Sequence, residues 1–162
     1  MKRRGFTSRF PSASESPGFL LWKAANQHQR LQRHALEDLG ISPTQFSLLA
    51  SFFYLAQRQP GPVSQAAVAA HAALDKMLVS EGTRALEAKR LVVRQPSARD
   101  GRAYDVELTA RGEQVCSRAL AVVEATDEAF FARTGDVPAF TALLTRLLGD
   151  VSDEPPAPRR RR

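Results

Sequence analysis

The chain has 162 residues, 43% of them hydrophobic and 25% charged, enough for one domain with a real core and too short for two ordinary ones. No apolar run approaches the roughly 18 residues of a membrane span. The basic N-terminus lacks the apolar centre of a secretory signal, so the cytoplasm is the expected compartment, and a single cysteine excludes an intrachain disulfide framework.

The net charge of +6 is unevenly spread. Residues 1–16 carry four basic residues against one acidic, and 151–162 four against two, which leaves 17–150 nearly neutral. Within that body, 76–111 holds eight basic residues against five acidic. Clustering on one stretch says more about a polyanionic partner than the total does. Arginine outnumbers lysine 19 to 4, a bias that genomic base composition also produces.

Residues 1–16 and 151–162 are polar tails without packing pattern. The second ends in four arginines, suited either to non-specific phosphate contact or to solubility. Between them, Ser16-Pro17 caps a first helix whose apolar stripe (Leu21, Ala24, His28, Leu31, Ala35) carries it to about Leu39, where Gly40 stops it. Ser42-Pro43-Thr44-Gln45 reads as a capping box opening a second helix through Phe46, Leu49 and Phe52, ending before Pro60-Gly61-Pro62. Ser64 caps a short third helix to about His71, and Asp75 a fourth to about Lys89. Helices so short and so close have the spacing of a helix-turn-helix.

The next stretch is a hairpin: Leu91–Gln95, a turn over 96–101, and Arg102–Thr109 with Tyr104, Val106 and Leu108 on one face. Thr109 then caps a long fifth helix, and Val137–Leu148 forms a sixth.

On the fourth helix, Val79, Thr83 and Leu86 share a core face, which turns Lys76, Met77, Ser80, Glu81 and Arg84 outward. Lys76 and Arg84 suit phosphates, Ser80 a base edge, and Met77 a thymine methyl, while Glu81 can accept from cytosine N4. A solvated helix face is the plain alternative for each residue alone. Gly82 lies inside this helix at a cost of about 1 kcal/mol relative to alanine, which suggests an adaptable recognition helix.

Three segments together resemble the MarR family of winged helix-turn-helix regulators: GFLLWKAANQHQRLQRHALEDLGISPTQFSLLAS, LDKMLVSEGTRALEAKRLV and RDGRAYDVELTARG, spanning about 17–149. The last resembles the family's wing signature. The resemblance implies a mainly α fold, a winged helix-turn-helix with a two-stranded β wing and a helical dimerisation region. The DNA-binding lobe falls at about 42–109, and the dimerisation helices at about 17–39 and 110–149.

Carried onto this chain, the signature makes Asp100 an aspartate that orients Arg102 into a minor groove, with Arg99 at the same tip. Ser97 and Gly101 depart from the usual Asp and Arg, and Arg90 stands where glycine usually ends the recognition helix. A left-handed non-glycine there costs about 1–2 kcal/mol, so either a different helix exit or an extra basic contact is expected. Relatives bind phenolic or lipophilic effectors in a crevice between dimer helices and DNA lobe, which Trp22 and His28 can line.

His28, His34, His71 and Cys116 lack metal-ligand spacing, so no metal or other cofactor is expected. Cys116 reads as a buried or dimer-adjacent structural thiol. No phosphate loop, nucleophile elbow or paired carboxylate supports catalysis. The expected function is a homodimeric repressor on double-stranded palindromic DNA, released by an effector, with no membrane partner. Two alternatives stay open: a winged-helix protein-interaction module, and a non-specific DNA binder.

Overall fold

A computed structural model describes residues 8–58, 61–97 and 103–149. The order of elements is α1 (Pro17–Ala35), α2 (Pro43–Ala56), β1 (Val63–Ser64), α3 (Gln65–His71), α4 (Lys76–Ala88), β2 (Val92–Pro96), β3 (Tyr104–Leu108), α5 (Ala110–Phe131) and α6 (Val137–Leu148).

Most boundaries follow from local hydrogen bonding. Ser42 Oγ accepts from Gln45 N–H at 3.2 Å while Gln45 Oε1 accepts from Ser42 N–H at 3.1 Å, a reciprocal box with Pro43 behind it. Ser64, Asp75, Thr109 and Asp136 cap α3, α4, α5 and α6 with one side-chain oxygen each accepting from a first-turn N–H. The first helix is shorter than expected: it ends at Ala35, and a 3-10 turn over Glu37–Leu39 leads to Gly40 at φ +64°. The left-handed glycine lets the chain reverse into α2.

The wing is the two-stranded ribbon β2–β3, and a short third strand, β1, joins it. Its sheet has three antiparallel strands in the order β1-β3-β2, with Val63 opposite Val106 and Arg94 opposite Val106 on the other side. β1 is too short to carry a period-two pattern, and Ser64 doubles as the cap of α3. As an edge strand, β2 tolerates Pro96 at its end. Leu91 is not in the strand as expected, because its backbone is committed elsewhere: its N–H donates to Leu86 O and its carbonyl accepts from Thr109 N–H, both at 3.0 Å.

One core lies beneath α2, α3, α4 and the sheet, with the lower part of α5 against it. Leu48, Leu49, Phe52, Leu55, Val63, Val68, Val79, Leu86, Val92 and Val106 are all buried there. By contrast, α1 and α6 bury none of their residues within the chain. Among the described residues, no helix is long and apolar enough to cross a membrane.

Two glycines mark close approaches. A Cβ on Gly112 would stand 1.9 Å from the carbonyl oxygen of Leu91, so only glycine lets α5 start against the wing. A Cβ on Gly82 would stand 2.3 Å from Leu48 Cδ1. Gly82 therefore supplies room for α4 to pack on α2.

Candidate nucleic-acid interface

The outward face of α4 is built by its inward one. Val79, Thr83 and Leu86 are buried, and the Thr83 hydroxyl donates to Val79 O at 2.6 Å, so no polar group is stranded in the core. Asp75 Oδ1 accepts from Met77 N–H at 2.7 Å and fixes the helix start. With the inner face pinned, Lys76, Met77, Glu81 and Arg84 are exposed and Ser80 is half-buried. Met77 is 69% exposed, an unusual placement for a long apolar side chain unless something covers it. The helix thus brings five of the expected contact residues onto one uncovered surface.

The helix exit is not a different one: Arg90 makes the left-handed turn that glycine usually makes. Arg90 takes φ +59°, and its N–H donates to Glu87 O at 2.8 Å while Leu91 N–H donates to Leu86 O. This pair of bonds is the Schellman arrangement, made without glycine. Thr109 Oγ1 donates to the Arg90 carbonyl at 2.9 Å and holds the turn from the α5 side. Ala73 ends α3 in the same manner at φ +50°.

Several basic residues of this region are already engaged. Lys89 Nζ donates to Gly40 O and, at 2.8 Å, to Gln45 Oε1. Arg94 pairs with Glu87 at 2.8 Å. Lys76, Arg84 and Arg90 remain outward. Arg99, Asp100 and Arg102 lie outside the described residues. Although alternation puts Tyr104 on the face of Val106 and Leu108, it is 44% exposed: the ribbon has by then left the protein body.

Within the chain, Trp22 and His28 face different ways. Six residues apart on a helix places them about 120° apart around its axis. His28 Nε2 lies 2.7 Å from Asp127 Oδ1, with the rings of Phe130 and Phe131 at 5.2 and 5.4 Å. It lines a cleft of about 480 Å3 between α1, α5 and α6. Trp22 is 63% exposed and stacks on Phe19 instead.

A different crevice, about 490 Å3, separates α1 and α5 from the helix-turn-helix, lined by Gln32, Phe46, Tyr54, His71, Cys116 and Leu120 among others. The Tyr54 ring stacks on His71 at 5.0 Å, and the Arg58 guanidinium lies 3.5 Å from the same ring. Burial pushes the Cys116 thiol above its usual range. Neither Tyr54 nor His71 was expected at a crevice, although an aromatic residue with a polar tip beside a core stripe is the signal for such a wall. No cluster of three or more potential metal ligands occurs among the described residues.

A model of the MarR family matches residues 39–103. The HTH-type transcriptional regulator YdcH of Bacillus subtilis is 36% identical over 141 residues, covering 87% of this chain and 95% of that protein. The HTH-type transcriptional repressor Rv2887 of Mycobacterium tuberculosis is 33% identical, covering 75% and 84%. Among solved structures, CouR from Rhodococcus jostii bound to p-coumaroyl-CoA superposes with a TM-score of 0.71 at 25% identity, covering 90% of this chain and all of that one. A mutant of MarR from E. coli in complex with operator DNA gives a TM-score of 0.71 at 22% identity, covering 82% and 93%, a likeness of fold.

Proposed function

The chain belongs to the MarR family, and on that premise we propose that it is a homodimeric DNA-binding transcriptional regulator of the cytoplasm, a repressor that covers a palindromic operator. The exposed face of α4, with Met77 and Arg84 uncovered beside Ser80, is the observation that carries the DNA reading. Lys76 and Arg84 neutralise phosphates, and Met77, Ser80 and Glu81 meet base edges. At the wing tip, Arg102, oriented by Asp100 and accompanied by Arg99, enters the flanking minor groove, where narrow A·T-rich geometry concentrates negative potential.

The dimer reading has separate support. Helices α1 and α6 hold no fully buried residue within the chain, while Phe19, Leu20, Leu21, Leu143, Leu147 and Leu148 are exposed. So much apolar surface in water favours burial against a second copy. The lobe at about 42–109 then reads DNA, and the helices at about 17–39 and 110–149 hold the pair together. CouR was solved with p-coumaroyl-CoA. By that likeness a phenolic or lipophilic effector acts here too, entering the crevice beside Tyr54 and His71 and changing the spacing of the two α4 helices.

Selection of genomic fragments with the purified protein tests this reading. Enrichment of one imperfect palindrome, with half-site centres about 34 Å apart along the duplex, is the expected result. Recovery of fragments with no shared sequence overturns operator recognition and favours a non-specific binder. Recovery of none favours a protein-interaction module.

A further inference from the structure

The two elements assigned to DNA, α4 and the β2–β3 ribbon, are joined by a charged contact. Arg94 lies on β2, and its Nε donates to Glu87 Oε2 on the last turn of α4 at 2.8 Å. The second carboxylate oxygen accepts from the Arg94 backbone N–H at 3.4 Å. The Arg94 side chain is 16% exposed and that of Glu87 38%. The same guanidinium lies 4.8 Å from the ring centroid of Tyr104 on β3. One arginine therefore grips the helix through a carboxylate and the far strand through a ring.

We propose that Glu87, Arg94 and Tyr104 form a tether that sets the angle between α4 and the ribbon, so that a lobe seated in the major groove presents its wing to the flanking minor groove. The three are positioning residues. The inference rests on the DNA reading above and adds to it how the two contacts are held in register.

Chain geometry supports it. Glu87 and Arg94 bracket the turn at Arg90, whose left-handed backbone carries the change of direction from helix to strand. A bond across that turn restrains how the ribbon swings relative to α4. Charge supports it as well: an arginine committed to a carboxylate adds little field for phosphates, so its role here is geometric. Plain electrostatics makes the opposite prediction, because Glu87→Gln removes a negative charge from a DNA-facing lobe and should strengthen binding.

The test uses the full-length protein on its selected operator, with hydroxyl-radical protection reporting the minor groove and guanine N7 methylation protection reporting the major groove. Glu87→Gln and Arg94→Lys are expected to weaken operator affinity about 3- to 10-fold, the range of a partly exposed charge-assisted bond. Protection in the flanking minor groove should fall while that under α4 persists. Arg94→Lys keeps the charge, so its loss cannot be electrostatic, and the exchange Glu87→Arg with Arg94→Glu should restore part of the flanking protection. Unchanged footprints in both single variants overturn the tether, as does parallel loss in both grooves. Absence of any protection by the unaltered protein overturns the DNA reading itself, and the tether with it.

Discussion

Arg90 and Ala73 each end a helix with positive φ, where glycine is the ordinary occupant. The strain is held by neighbours rather than relieved, since Thr109 bonds the Arg90 carbonyl and Leu91 is 3% exposed beneath it. Arg90→Gly should therefore stabilise the protein by about 0.5–1 kcal/mol, the left-handed penalty less the extra entropy of glycine in the unfolded chain. Denaturant unfolding reads the sign, and a loss of stability would mean that the arginine side chain contributes more than its backbone costs. Gly82 separates two explanations just as cleanly. Helix propensity alone predicts a gain of about 1 kcal/mol for Gly82→Ala. The 2.3 Å approach to fully buried Leu48 predicts a net loss of about 1 kcal/mol or more. For Cys116, burial raises the folded-state thiol pKa. Its contribution to stability is complete below the unfolded thiol pKa and is lost as pH rises through the folded value. Cys116→Ala should flatten the alkaline edge of the pH–stability curve, and native Cys116 should react with a thiol reagent far more slowly than the unfolded chain.

At the scale of elements, what could be read in advance was what is local. Caps at Ser42, Ser64, Asp75 and Thr109 depend on residues within three positions, and each forms the bond its type suggests. The inner face of α4 followed from helical period alone. β1 was invisible because two residues beside Pro62 carry no alternation, and only pairing with β3, more than forty positions away, makes them a strand. The packing of Gly82 on Leu48 and of Gly112 on Leu91 is likewise set by partners outside any local window. Alternation placed Tyr104 with Val106 and Leu108, but it says which side a residue faces and not where the core ends. The ribbon outruns the core, and Tyr104 meets Arg94 instead. For the same reason the wall of the crevice, formed by Tyr54 from α2 and His71 from α3, appears only once the elements are packed.

For the whole molecule, the division of burial is the organising fact: a dense core under α2–α4 and the sheet, and helices α1 and α6 without a fully buried residue of their own. Leu147, 68% exposed, belongs to the surface assigned to the second copy. Leu147→Glu should shift sedimentation toward a monomer and lower operator affinity at least tenfold, because each half-site is then bound singly; an unchanged dimer would move the interface away from α6. The claim that α4 reads sequence is tested most directly by competing the selected operator against scrambled DNA of equal length at one physiological salt concentration. The operator should win by about 10³-fold or more. Arg84→Ala and Ser80→Ala, both on the solvent side of α4, should narrow that ratio in a protein that still unfolds cooperatively. Equal affinity of the unaltered protein for both DNAs would contradict the account.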